Sequence, residues 1–542
     1  MSSLTIGLSG LLVNQRLLAL TGQNITNANT PGYHNQVATL AENAPASDEG
    51  VSVGSGVEIT GIAREVNQAL ELAVLGNTSA SNNASTQLDG LNQLQSYLAT
   101  GSGTLHDALG NLFTQLESLS TQPGDPTQRQ LVLSAANDVT TQLNATVANL
   151  QQMSSSLVDQ ANTHVSAINA LTTQIAQLNQ QIHDGTIAGA DTNGLLDQRD
   201  QALGSLAQLV DIRTIPQPYG EMSVYVNGSS LVLNNQAATL STSINNQGQI
   251  VINSSGALQP IAIGGGQLGA DLALHNTTLP AVQTQLNTFT QELATQFDHV
   301  QTTGLGLNGP MTALASQRTV ANVNQPLAAA NLGFPPQAGN LYITVTNLAT
   351  GQKTLNKVAI DPKTQSLAAV AGALSGVANM QAVVDPQAGT INLLAKPGYG
   401  FDFTGSLSTS PDTQAITGTA VPTIDGQYSG TSDDTLHYQF AGSGTIGVTP
   451  NLMLQVRNGA GTLLGSLNVG QGYSPGTDLS GVLGVQVKLA AGTVNNGDSF
   501  TVNASANPDS ANVLTALGLN TFFVGAGAGA LAVNPNLVNN PL

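Results

Sequence analysis

Residues 2–36 read SSLTIGLSGLLVNQRLLALTGQNITNANTPGYHNQ. Leu4, Leu8, Leu11, Leu18 and Ile25 recur at three- and four-residue steps, with Gln15 and Gly22 at the two gaps, and trace one stripe on a 3.6-period helix. A stripe that narrow asks for another helix, although on pattern alone an amphipathic helix covering its own core is the plainest account. In the NITNANTPGY that follows, Asn27, Asn29 and Thr30 are suited to bond their own backbone, Pro31 forbids continuation and Gly32 permits a positive φ. The spacing therefore predicts a helix that stops sharply and turns.

The 542 residues suffice for two to four domains with real cores. Hydrophobic residues make up 41% but charged ones only 8%, so the polar surface must come from Asn, Gln, Ser and Thr. With a net charge of −19 and 12 thinly scattered basic residues, the chain has no patch to neutralise phosphates, and no nucleic-acid partner is expected. The absence of cysteine removes disulfides, thiol catalysis and zinc–thiolate sites together. No stretch reaches the roughly 18 to 20 consecutive apolar residues that span a bilayer. The start lacks a basic segment ahead of an apolar one, so no cleaved signal peptide and no membrane insertion are expected.

From Val37 to Ile62 the pattern is short and β-leaning, with GVEITGI alternating like a strand. Helical spacing resumes from Arg64 through Val66, Leu70 and Val74, loosens across NTSASNNAST, and returns through Leu88, Leu91, Leu94 and Leu98, then Leu105 to Leu116. The longest feature follows. Asp125 is placed as an N-cap with Pro126 at the first helical position, and Gly185 stands as the residue past the end. Between them a 3/4 alternation runs from Val132 through Leu143, Leu157, Ile168 and Ile175 to Ile182, with Ser154 and His164 polar on the seam. A seam so long and narrow predicts a coiled-coil helix with antiparallel partners in residues 193–210 and in the stripe from Leu279 to Val300. Between those two, MSVYV and SSLVLNN flank Asn227-Gly228, the strongest short hairpin signal.

From about Pro310 the composition turns to Gly, Thr, Val, Asn and Pro, with strands such as LYITVTN, HYQFAG and DSFTVNA separated by Gly-rich turns. After Asp509 a helical signal returns in ANVLTALGL. The expectation is an α+β multidomain fold: an N-terminal amphipathic helix and turn (1–36), a coiled-coil helical domain with inserted β hairpins (37–309), outer β-rich modules (310–506) and a return segment to the helical domain (507–542).

Catalysis needs converging groups, and none converge here. The histidines (34, 106, 164, 183, 275, 299 and 437) form no HExxH pair and no carboxylate-flanked pair at ligand spacing, so no catalytic residue, metal or cofactor is expected. His164 reads as a packed or register-setting residue. Asp197, Arg199 and Asp200 in LLDQRD read as helix-surface ion pairs that position neighbouring elements. GGGQLGAD (264–271) lacks both P-loop and GxGxxG spacing and reads as a flexible joint entering the Leu279 helix.

The N-terminal stripe with Asn24, Ile25, Asn27, Pro31, Gly32 and Tyr33 resembles the signature shared by the rod, hook and hook-associated proteins of the bacterial flagellum. LLDQRDQALGSLAQLVDI with the strands after it (195–233), GGGQLGADLALHN with LNTFTQELATQFDHVQTTG (264–304), and NPDSANVLTALGLNTFFVGAGAGALAVNPNLV (507–538) resemble the hook-associated protein 1 family. The likeness covers the first 310 residues and the last 40, and is thin between them. It implies a non-enzymatic junction subunit connecting hook to filament. Its packing interface would comprise Leu4, Leu8, Leu11, Leu18, Asn24, Ile25, Asn27, Pro31, Gly32 and Tyr33. The implied partners are further copies of itself, hook protein, a second hook-associated protein, the flagellar type III export machinery and an export chaperone; the implied location is the flagellum, reached by secretion through the export channel. The family continues beyond the point where this sequence stops with a pair of helices, the last against the N-terminal one. A hook or rod protein, or a secreted β-rich adhesin or carbohydrate-binding protein on a helical stalk, are the alternative readings.

Overall fold

The computed structural model describes residues 3–44, 46–48, 51–98, 103–405, 407, 411–426, 428–479 and 481–540. They form an α+β multidomain chain divided into two compact units, one of residues 1–99 with 148–284 and one of 100–147 with 285–542.

The chain begins with α1 (Ser3–Asn27), followed by β1 (Gln36–Glu42), the short pair β2 (Ala46–Asp48) and β3 (Val51–Val53), and β4 (Val57–Arg64), which runs antiparallel to β1. Next come α2 (Gln68–Tyr97), α3 (Leu105–Thr121), α4 (Pro126–Ile187) and α5 (Asn193–Leu209). The β segment comprises β5 (Arg213–Pro216), β6 (Met222–Val226), β7 (Ser229–Leu233), β8 (Gln236–Ala237), β9 (Leu240–Ile244) and β10 (Ile250–Ser254), then α6 (Gly266–Ala273) and α7 (Leu279–Thr302). Helix α1 is long and apolar enough overall to cross a membrane, although Asn14, Gln15 and Arg16 interrupt its apolar run.

The first unit packs β5 to β8, an antiparallel sheet in sequence order, against α4, α5 and α6. Its core joins Ala161, Ile168 and Ile175 of α4 to Leu203 and Leu206 of α5, Val224 and Leu231 of the sheet, and Leu268 of α6. The β6–β7 turn is Asn227-Gly228 with both residues at positive φ (43° and 82°), as a type I′ hairpin requires.

Three expectations need correction here. Helix α2 does not loosen at NTSASNNAST: it is continuous, because its small polar residues are the packing surface. Ser79 is buried, Asn83 Nδ2 donates to the Gly266 carbonyl at 2.9 Å, and Gly90 faces the end of the Leu274 side chain just past α6, so small residues carry the contact of α2 with α6. Helix α4 does not stop at Gly185 but runs to Ile187 and turns at Gly189 (φ 67°); Gly185 lies close to Thr192, whose Cγ2 would be 2.7 Å from a Cβ there. GGGQLGAD is no flexible joint but the start of α6, whose Gly266 (φ 65°) passes so close to α5 that a Cβ would sit 2.3 Å from the Leu209 carbonyl carbon.

In the second unit two cores stand out among the described residues. One is built by the strands 339–347, 353–360 and 399–402, the strands 380–385 and 390–395, and the helix α8 (Leu367–Ser375), around Ile343, Phe401, Phe403 and Leu374. Into it pack Ala511 to Leu519, from beyond the other core. That second core lies under a four-stranded sheet in the order 463–468, 453–457, 434–441, 499–504, with the pair 422–426 and 485–489; Tyr438 and Phe500 stack inside it at 4.8 Å.

Candidate assembly surface

Helix α1 has two faces of opposite character. One rests on the β1–β4 hairpin: Val13 and Leu20 are buried, and Ser9 Oγ accepts from Val57 N at 3.3 Å. Gly56 (φ 108°) leaves room for that seryl group, because a Cβ there would sit 2.2 Å from Ser9 Oγ. The other face carries the predicted stripe, and it faces solvent: Leu4 is 79% exposed, Leu18 74% and Ile25 72%, with Leu8, Leu11 and the unpredicted Leu12 beside them. These large aliphatic side chains stand in water along one side of the helix, exposed apolar surface of the kind that marks an interaction site.

The polar members of the predicted set do different work. Asn24 Nδ2 donates to the Gln36 carbonyl at 2.9 Å, while its Oδ1 accepts from Gln36 N at 3.1 Å and from the Tyr33 hydroxyl at 2.7 Å. Burial first, and the Asp197 charge second, raise the Tyr33 phenol above its ordinary pKa. Asn27 accepts from Thr30 Oγ1 at 3.2 Å, and Gly32 holds φ 79° beside the exposed Pro31. These residues close the turn; the leucines and Ile25 are what the turn presents. Ser9, Val13, Leu20, Gly56 and Gln36 went unnoticed in the sequence, where only the 9–13–20–24 helical spacing hinted at a second face.

LLDQRD sits at the foot of this arm. Arg64 Nη1 reaches Asp197 Oδ1 at 2.7 Å and Asp200 Oδ2 at 2.8 Å, and His34 Nδ1 lies 2.8 Å from the same Asp197 oxygen. Arg199 is only 3% exposed and donates to the Gly220 carbonyl at 2.6 Å, so it is an interior tie rather than a helix-surface ion pair; burial lowers its pKa against the pull of Asp200. His164 on the α4 seam pairs with the buried Asp271 of α6 at 2.9 Å.

In the second unit an equivalent knot was invisible in the sequence. Asp298 of α7 accepts from the amides of Phe522 and Phe523, both at 2.9 Å, and pairs with Arg318 at 2.8 Å. Arg318 also bonds the Thr515 carbonyl and lies over the Phe334 ring. Burial raises the Asp298 carboxyl and lowers the Arg318 guanidinium, each opposed by the other's charge. Among the described residues no group of three or more His, Asp or Glu is arranged to hold a metal.

Residues 91–314 match the family model described as the flagellar hook-associated protein FlgK helical domain. Through this helical body the chain is similar to the hook-associated protein 1 of several bacteria. Hook-associated protein 1 of Salmonella typhimurium strain LT2 is 31% identical over 236 residues, 43% of this chain and 43% of that protein. The Escherichia coli K12 relative is 29% identical over the same extent, and the Bacillus subtilis 168 relative 28% identical over 211 residues, 38% of this chain and 42% of that one. The match thus spans less than half the length of these hook-associated relatives. A solved flagellar hook junction protein FlgK from Burkholderia pseudomallei aligns over 83% of this chain and 90% of its own, at 21% identity and TM-score 0.42.

Proposed function

We propose that this protein is a structural, non-enzymatic subunit of the bacterial flagellum that joins hook to filament and assembles through α1. The observation that carries this is the solvent-facing row from Leu4 to Ile25 on a helix whose opposite face is already satisfied by its own hairpin. Burying such side chains is worth about 1.5–3 kcal/mol each, so a ring of copies would gain what the lone subunit forgoes. In this reading residues 1–36 pack toward the axis beside the same residues of neighbouring copies. Its partners are further copies, hook protein, a second hook-associated protein and, before assembly, the type III export machinery with an export chaperone; the subunit is secreted and does not insert into membranes.

Complementation of a strain lacking the gene tests this. Wild type restores swimming, whereas Leu8→Asp with Leu18→Asp gives secreted subunit, hooks without filaments, and flagellin shed to the medium. Normal filaments on the double variant would overturn the reading.

A further inference from the structure

Residues 3–64 form an arm that stands outside the first unit's hydrophobic core: among the described residues none before Leu75 belongs to that core. Helix α1 packs on β1 and β4 of the same arm. The joint to the body is polar. Arg64 bridges Asp197 and Asp200, His34 adds to Asp197 and stands 3.6 Å from Glu71 of α2, and Asn193 Nδ2 donates to the Ile62 carbonyl at 2.9 Å. Beside the joint opens a cleft of about 500 Å³, lined by Ile62, Arg64, Leu72, Asn193, Arg199 and Met222. Apolar side chains do not close this stretch of the seam, which is open to solvent.

We infer that the Arg64–Asp197–Asp200–His34 cluster is a latch that sets the direction of the arm, and with it the direction in which the α1 leucines face, independently of the stability of the body. Its purpose rests on the assembly reading above; its physical content does not. Arg64 is the key residue because one nitrogen serves both carboxylates. Removing it leaves Asp197 and Asp200 as neighbouring like charges, offset by His34 beside Asp197 and by Arg199 at 3.6 Å from Asp200. The arm then has no strong preferred angle, while the cores of α4, α5 and the sheet lose nothing. A single bridging nitrogen also means that a lysine ammonium can substitute.

The chain has no cysteine, so paired labels can be placed unambiguously. Spin labels at Gln15→Cys on α1 and Gln208→Cys on α5, both exposed positions, report the arm angle in the full-length monomer. The unmodified latch should give one narrow distance distribution. Arg64→Ala, and separately Asp197→Asn with Asp200→Asn, should broaden it to several components, and Arg64→Lys should restore it. The thermal midpoint of the body and amide protection around Ile168 and Leu206 should stay at wild-type values in the Arg64 variants, which keep the Arg199–Asp200 pair of the body. A distribution that stays narrow in both disrupting variants, or a body that melts along with the arm in Arg64→Ala, overturns the latch. The measurement is made on the monomer, so it fails separately from the assembly reading: normal filaments on the leucine variants would end that reading and leave the latch standing.

Discussion

Asn24 and Gln36 bond in both directions across twelve residues, Nδ2 to carbonyl at 2.9 Å and amide to Oδ1 at 3.1 Å, so one side chain replaces a missing strand partner where α1 hands over to β1. Gln36 is buried, and water is a poor substitute for this partner. Asn24→Ala should cost the arm about 1–3 kcal/mol, the usual penalty for stranding buried polar groups. Hydrogen exchange at residues 33–37 should speed up accordingly, with the body unaffected; unchanged protection there would refute the account.

The Asp298–Arg318 pair gives a harsher outcome. Asp298→Ala leaves a buried guanidinium without its carboxylate and two amides, of Phe522 and Phe523, without their acceptor. Breaking one side of such a pair costs about 3–5 kcal/mol. Urea unfolding of the second unit, followed by the fluorescence of a reporter placed there, should show a loss of stability of that size.

Asp509 supplies a pH signature. It is buried, accepts from the amides of Val513 and Leu514, and burial pushes its pKa up from 3.8 to about 6. The folded chain therefore keeps this proton through a window in which the unfolded chain releases it. Stability from this group is full below about pH 4, falls as pH rises toward about 6, and is flat beyond; the loss is about 1.4 kcal/mol for each tenfold difference in proton affinity between folded and unfolded chain. Denaturant titrations from pH 4 to 7 should show this downward slope in wild type and a flatter one in Asp509→Asn.

Two glycines that both meet a neighbour at 2.3 Å should respond differently to alanine. At Gly90 the obstacle is the end of the Leu274 side chain, which can shift, and alanine favours the helix by about 1 kcal/mol. At Gly266 the obstacle is the backbone of Leu209 and Val210, and φ is 65°. Gly90→Ala should move the thermal midpoint of the first unit by little, whereas Gly266→Ala should lower it steeply or prevent folding.

The exposed leucines should matter to assembly and not to the monomer. Leu4→Ser with Leu18→Ser removes apolar surface that is already in water, so its thermal midpoint should match wild type while co-assembly with wild-type subunits, measured by sedimentation, is lost.

Sequence alone determined what depends on neighbours a few residues away. The 3/4 seam from Val132 to Ile182, the Asp125-Pro126 start of α4, the Asn227-Gly228 hairpin and the stop after Asn27 are all local chemistry, and each stands where the periodicity placed it. The tertiary structure decided which side of α1 its own hairpin covers, why Ser79, Asn83 and Gly90 belong inside a helix, and that Arg199 lies inside the body. It also brought Asp298 to Phe523 across 225 residues. The physical reason is range: helix pitch and turn geometry are written within one or two turns of chain, whereas a close approach of backbones or a buried ion pair depends on a partner whose distance along the sequence leaves no periodic trace.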